Sequence, residues 1–177
     1  MRRLRPHART PRTAGFTLIE VLIAIVILSV GLLGIAKLML FSSRSNDSAY
    51  LRSQATELAY EILDNMRANR QEAINAGTYV TAKGTLATAP AVSCIGAAQC
   101  TPTQLALFDV YQWKLRLDTA SVPAGALPNG RGSVSTATVG AQGVATIQVF
   151  WDDTVAQSTF GAAAAANEQS ITLETVL

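Results

Sequence analysis

The chain changes from basic to apolar at Thr13-Ala14-Gly15-Phe16-Thr17-Leu18-Ile19-Glu20, and this junction determines how the rest is arranged. Residues 1–15 contain five arginines and no acid, whereas residues 16–41 hold only two charged side chains, Glu20 and Lys37. A helix that crosses the bilayer core needs about 20 mostly apolar residues, so 16–41 is long enough. Because basic flanks stay in the cytoplasm, the pattern predicts a single-pass protein whose remaining residues lie on the outer side.

Two ordinary targeting segments share this basic start and apolar core. A secretory signal peptide should be followed by a small-x-small cleavage site, and Lys37-Leu38-Met39-Leu40-Phe41 offers none. A plain signal anchor fits the composition better. Neither alternative accounts for Gly15-Phe16, nor for the carboxylate of Glu20, because an acid at the mouth of a membrane segment is costly and calls for a partner.

The segment Gly15-Phe16-Thr17-Leu18-Ile19-Glu20 resembles the processing site of type IV prepilins. The resemblance implies that prepilin peptidase cuts after Gly15 and that Phe16 becomes the N-methylated first residue. It implies that Glu20 neutralises the amino terminus of a neighbouring subunit when the helices bundle in a filament. It also implies an inner-membrane location before assembly, with the N-terminus cytoplasmic and the head periplasmic, and a place in a surface pilus afterwards.

The charge balance changes if the leader is removed. The chain has 14 basic and 12 acidic side chains, and without the five leader arginines 9 basic ones remain, which gives a net charge of −3. A mildly acidic mature protein lacks the basic surface that nucleic-acid binding needs. We therefore expect no nucleic-acid partner.

The sequence divides into four segments: a leader at 1–15, a transmembrane and assembly helix at 16–41, an amphipathic continuation at 42–76 and a globular head at 77–177. The continuation is predicted from apolar residues at three- and four-residue steps, namely Leu51, Ala55, Leu58, Ile62 and Met66. Gly77 is a natural stop. We expect one helix from about Thr17 to Ala76, without the helix-breaking proline that filament-forming pilins typically carry.

The head contains signals for one helix and a small sheet. Thr101-Pro102-Thr103-Gln104 reads as a capping box with proline at the first helical position, after which Leu105, Phe108, Gln112 and Leu115 would share a face. A strand over 107–117 is the alternative. Ser133–Val139 and Val144–Trp151 predict a β-hairpin, and Ile171 and Leu173 begin a last strand. The expected fold class is α+β: a pilin-like fold with a long N-terminal helix packed on a small antiparallel sheet.

Few residues could carry chemistry. Cys94 and Cys100 are the only cysteines, and outside the cytoplasm we expect them to form a disulfide. The single histidine lies in the leader, so the mature chain would lack the base of a usual hydrolase triad. Asp152-Asp153 is the most tempting carboxylate pair, but neighbours on a strand point to opposite faces, and a calcium site there is the minor alternative. We expect no catalytic residues, no cofactor and no metal, and therefore no enzyme.

Four downstream pieces resemble the minor pilins of the type IV pilus modification (PilV-type) family: Ile62–Asn69, Phe108–Lys114, Leu127–Val134 and Val149–Asp153. This resemblance implies a minor pilin that helps to prime pilus assembly at or near the tip, in adhesion and twitching motility, with prepilin peptidase, other minor pilins and the major pilin as partners. A minor pseudopilin of type II secretion is the closest alternative. A tip-exposed adhesin or DNA-binding module and a membrane-tethered periplasmic enzyme are the others.

Overall fold

The computed structural model describes residues 15–96, 99–118, 125–139, 142–153 and 167–177. A long helix, α1 (Leu18–Ala68), comes first, followed by a π-helix (Glu72–Ala76), α2 (Pro102–Leu117) and the strands β1 (Arg131–Val139), β2 (Gln142–Asp152) and β3 (Glu168–Val176). The chain separates into two compact units, Met1–Ser42 and Ser43–Leu177. A long N-terminal helix followed by a small antiparallel sheet confirms the expected α+β class.

Within the first unit, α1 is apolar on every side. Every residue from Leu18 to Phe41 is exposed, with Leu18 79% and Phe41 72% accessible. Among the described residues one helix, Leu18–Ala68, is long and apolar enough to cross a membrane by length and composition. A helix that is apolar all round needs an apolar surrounding, which is either lipid or other helices.

Within the second unit, α1 becomes amphipathic and supplies one wall of a core. Its buried side chains are Ala55, Leu58, Ala59, Ile62, Leu63 and Met66. Four of the five residues predicted from the periodicity are among them, and Leu51 packs against the cluster while partly exposed. The interleaved Arg52, Glu57 and Arg67 are exposed, as the 3.6-residue period predicts. Glu61 is partly buried and pairs with Arg116 of α2 at 2.7 Å.

The helix does not continue regularly to Ala76, which corrects the sequence prediction. α1 ends at Ala68, a turn follows at Asn69, and the π-helix covers Glu72–Ala76 before Gly77 closes it at φ +64°. The interruption coincides with Asn69, whose side-chain amide donates to Pro102 O at 2.7 Å and so belongs to the contact with α2. Gly77 is the stop that the sequence indicated, because the left-handed conformation suits glycine.

Helix α2 begins at the predicted capping box, and the strand alternative for 107–117 is wrong. The Gln104 N–H donates to Thr101 Oγ1 at 3.3 Å and the Thr101 N–H donates to Gln104 Oε1 at 2.9 Å. The predicted face is not the buried one, however. Leu105 and Leu107 are exposed, and the core-facing stripe of α2 is Ala106, Val110, Trp113 and Leu117.

The three strands form one antiparallel sheet in the order β1-β2-β3. Val134 pairs with Ile147, and Ile147 pairs with Leu173, so the predicted hairpin and last strand are both present. β1 ends at Val139 as predicted, whereas β2 begins at Gln142, two residues earlier than expected, so Gly143 lies inside β2. Alternate residues of β2 face the core, which closes against α1 and α2 around the side chains of Ala145, Ile147, Val149 and Trp151.

Candidate functional site: the N-terminal segment and the head frame

The residues that resemble a processing site lie in an accessible segment before α1. Gly15, Phe16 and Thr17 have no regular secondary structure, and Phe16 is 84% exposed. A Cβ added at Gly15 would meet nothing within 4 Å. Residues 1–14, which belong to the predicted leader at 1–15, lie outside the described residues. The segment from Gly15 to Thr17 therefore has the open, non-helical backbone that a peptidase needs.

Thr17 starts the helix, and Glu20 lies in its first turn. The Glu20 N–H donates to Thr17 O at 3.1 Å and to Thr17 Oγ1 at 3.3 Å, so the threonine side chain adds a capping contact at the start of the helix. The Glu20 side chain is exposed, and within the described residues no ion pair reaches its carboxylate. An acid near a helix N-terminus is favoured by the helix dipole, but a charge among apolar residues still needs a counter-charge once water is removed.

In the head, the pieces singled out from the sequence meet one another. Asn69, at the end of the first piece, donates to Pro102 O and lies 3.5 Å from Tyr79 Oη. The Tyr79 O–H in turn donates to Asp109 Oδ2 at 2.7 Å, which ties α1, the loop after Gly77 and α2 together. Burial raises the pKa of Tyr79 and of Asp109 above their ordinary values. Both groups therefore stay protonated to higher pH than free side chains do.

Trp113 and Lys114 connect the second piece to the third. The Trp113 indole N–H donates to Leu58 O at 2.8 Å, and its ring fills the space that a side chain at Gly132 would need. The buried Lys114 ammonium donates to Ala82 O at 2.8 Å and to Gly132 O. Burial lowers the pKa of Lys114 to about 8. The glycine at 132 is thus required by packing, and the lysine holds the loop to β1.

The third and fourth pieces are joined by polar contacts at the end of the sheet. Asn129, at φ +50°, donates through Nδ2 to Asp152 Oδ2 at 2.8 Å. Arg131 contacts Asp152 at 3.6 Å and Glu168 at 2.7 Å. The four pieces singled out from the sequence therefore form one frame, which we call the head frame: Asn69, Asp109, Trp113, Lys114, Asn129, Gly132 and Asp152.

The two aspartates at the end of β2 point to different sides, as expected. Asp152 accepts a hydrogen bond from the Asn129 side chain, whereas Asp153 is only 2% exposed and accepts a hydrogen bond from Ser48 Oγ on α1. Across the parts of the chain that the structure describes, no group of three or more His, Cys, Asp or Glu side chains could hold a metal ion. The pair therefore acts in hydrogen bonding, and the link from Asp153 to Ser48 had no signal in the sequence.

Cys94 and Cys100 form a disulfide with a Cα–Cα distance of 5.9 Å. The bond closes a short loop directly before Thr101, the residue that caps α2. The disulfide therefore fixes the last part of the connection between Gly77 and α2. Asn69 donates its hydrogen bond to Pro102 O at the same end of α2.

The comparisons with known proteins agree with this geometry. A family model described as the prokaryotic N-terminal methylation motif matches residues 10–36, and one described as type IV pilin Tt1218 matches residues 39–111. These two matches support membership of the type IV pilin superfamily. No curated protein and no solved structure matches it.

Several general properties come with this membership. The methylation motif implies processing by prepilin peptidase and assembly with other pilins. The motif and the apolar part of α1 fit membrane anchoring, and the family consists of structural subunits rather than known enzymes.

Proposed function

We propose that this protein is a minor pilin of the PilV type, which primes assembly of a type IV pilus and sits at or near its tip. Residues 1–15 are a leader that prepilin peptidase removes after Gly15, and Phe16 becomes the methylated first residue. Residues 16–41 anchor the protein in the inner membrane, with the N-terminus cytoplasmic and the head periplasmic, until it joins other minor pilins and the major pilin.

One observation carries this proposal. The apolar part of α1 is exposed along its whole length and contains a carboxylate that nothing in the described chain neutralises. A membrane anchor alone needs no acid at that position, because an unpaired carboxylate in an apolar surrounding costs several kcal/mol. The amino terminus that cleavage would create on a neighbouring subunit supplies a positive charge of the right kind. Glu20 is thus explained by assembly and not by anchoring.

The head supports the choice of a structural subunit. The residues of the head frame make hydrogen bonds and packing contacts to one another, and they hold α1, α2 and the sheet in fixed positions. A head whose helices and sheet are held by such contacts suits a subunit that sets the order of its partners. Adhesion and twitching motility would then depend on this protein through the pilus that it helps to start.

Three variants test the processing and assembly residues. Gly15→Val should block leader removal, because the added branched side chain occupies the position next to the cut, while Gly15→Ala should be cleaved with only a modest delay. Glu20→Ala should be inserted and cleaved normally but should be largely missing from sheared fibres. Normal maturation of Gly15→Val would refute the cleavage position, and undiminished incorporation of Glu20→Ala would refute the pairing role.

The decisive measurement is N-terminal sequencing of the protein recovered from sheared surface fibres. We expect it to begin at methylated Phe16. A deletion strain separates the pilus from type II secretion: loss of pili and twitching supports the proposal, whereas a secretion defect with intact pili assigns the protein to the pseudopilins. A protein that begins at Met1 in the membrane fraction would overturn both assignments.

A further inference from the structure

Lys37 is a second charge within the apolar part of α1, and membrane anchoring does not require it. The exposed residues after it are again apolar: Leu38, Met39, Leu40 and Phe41. Lys37 is itself exposed, and among the residues that the structure describes no hydrogen bond or ion pair reaches its ammonium group. The lysine therefore lies inside the apolar segment and not at its end.

The position of Lys37 along the helix is compatible with a membrane. It lies 19 residues after Leu18, the first residue of α1, which corresponds to about 29 Å at 1.5 Å per residue. The hydrocarbon core is about 30 Å thick, so a helix that begins with Leu18 at the cytoplasmic face places Lys37 at the outer boundary. There its flexible stem lets the ammonium reach lipid phosphates. Before assembly, Lys37 consequently needs no protein partner.

The situation changes when the helix leaves the lipid and packs among other apolar helices. The phosphates are then absent, and an ammonium surrounded by leucine and isoleucine side chains is strongly disfavoured unless a carboxylate pairs with it. Lys37 and Glu20 are 17 residues apart, which places them about 100° apart around the helix axis. Two charges on different sides of one helix meet different neighbours.

We propose that Lys37 forms an ion pair with a carboxylate on the N-terminal helix of a neighbouring subunit, as a second electrostatic contact that selects which subunit packs there. This inference rests on the proposed function, because it requires the helix to enter a bundle. The partner is a pilin-like helix with an acid at the level of Lys37. A neighbour that is apolar at that level would leave the lysine unpaired and would be rejected.

The test measures incorporation into sheared fibres, by immunoblot, relative to processed protein in the membrane fraction of the same cells. Lys37→Met keeps the length and apolar character of the side chain but removes the charge, so it strands the carboxylate of the partner. We expect incorporation to fall about tenfold or more. The free energy that corresponds to this change is only part of the cost of an unpaired charge among apolar helices. Lys37→Arg should stay close to wild type, as should the matched apolar control Ile35→Met.

Each other outcome is informative. Unchanged or increased incorporation of Lys37→Met would show that the lysine only contacts lipid and would overturn the inference. An equal loss with Lys37→Arg and Lys37→Met would also overturn it, because shape and not charge would then matter. If the wild-type protein itself never enters fibres, the proposed function fails, whereas a wild-type signal with an unaffected Lys37→Met variant refutes only the ion pair.

Discussion

Replacing Gly132 by alanine tests the central contact of the head. A Cβ at this position would overlap the outer edge of the Trp113 ring and lie 2.8 Å from Leu117 Cδ1. Both neighbours are fully buried in the core, so neither can turn towards solvent. The strand backbone at 132 is compatible with alanine, and the expected effect is therefore one of packing alone.

Two costs determine how much Gly132→Ala lowers the free energy of unfolding. Forcing an extra methyl group into a filled core costs about 1–3 kcal/mol. Moving the indole ring also disturbs its hydrogen bond to Leu58 O, which is 2.8 Å long and of a type worth about 0.5–1.5 kcal/mol. We expect Gly132→Ala to lower the free energy of unfolding by about 2–4 kcal/mol and the Tm by roughly 6–15 °C.

Thermal unfolding of the full-length protein in detergent, followed by tryptophan fluorescence, measures this change. The chain has two tryptophans, and both are buried in the second unit, so the signal reports the head. Gly84→Ala is the matched control, because a Cβ there meets nothing within 4 Å. It should change the free energy of unfolding by no more than about 0.5 kcal/mol.

A double variant separates the crowding from other effects. Trp113→Phe removes the part of the ring that the new methyl group strikes, so the two substitutions together should cost at least about 1 kcal/mol less than their sum. The packing argument would be refuted if Gly132→Ala had the same Tm as the wild type, or if the free-energy costs of the two substitutions were additive.

Two further predictions concern the disulfide and the buried lysine. Cys94→Ser/Cys100→Ser should lower the free energy of unfolding in urea by about 2 kcal/mol on chain-entropy grounds, and the wild type under reducing conditions should match it; a reductant without effect on the wild type would contradict this. Because burial lowers the pKa of Lys114 to about 8, while the unfolded ammonium titrates near about 10.4, the unfolded chain binds more protons between these values, and stability should rise with pH from about 8 to about 10. Lys114→Met should flatten that rise, and equal slopes in both proteins would show that the lysine is not its source.

The sequence predicted the elements whose signals are local. The basic-to-apolar junction, the capping box at Thr101 and the apolar period along α1 are each formed by residues that are close together in the sequence. These elements can therefore be predicted without knowledge of the fold. The buried face of α2 could not be read in this way. Leu105 and Leu107 are as apolar as any core residue, but the small side chain of Ala106 and the hydrogen-bonded ring of Trp113 decide which side packs against α1.

The remaining features depend on residues far apart in the chain. The contact from Ser48 to Asp153 spans 105 positions, and Tyr79 meets Asp109 across 30. The end of α1 at Ala68 was missed for the same reason, because Asn69 gives no local reason to stop a helix and makes its contact with Pro102 only in the folded head.

The participation of α1 in the core has a mechanical consequence. Six of its side chains, spread from Ala55 to Met66, are buried in the second unit. A force along the helix axis would have to extract all six side chains from the core at the same time, since they lie on one helix. Contacts that are loaded together in shear resist rupture better than the same contacts opened one after another. A force applied along this helix would therefore be distributed over all of its core contacts.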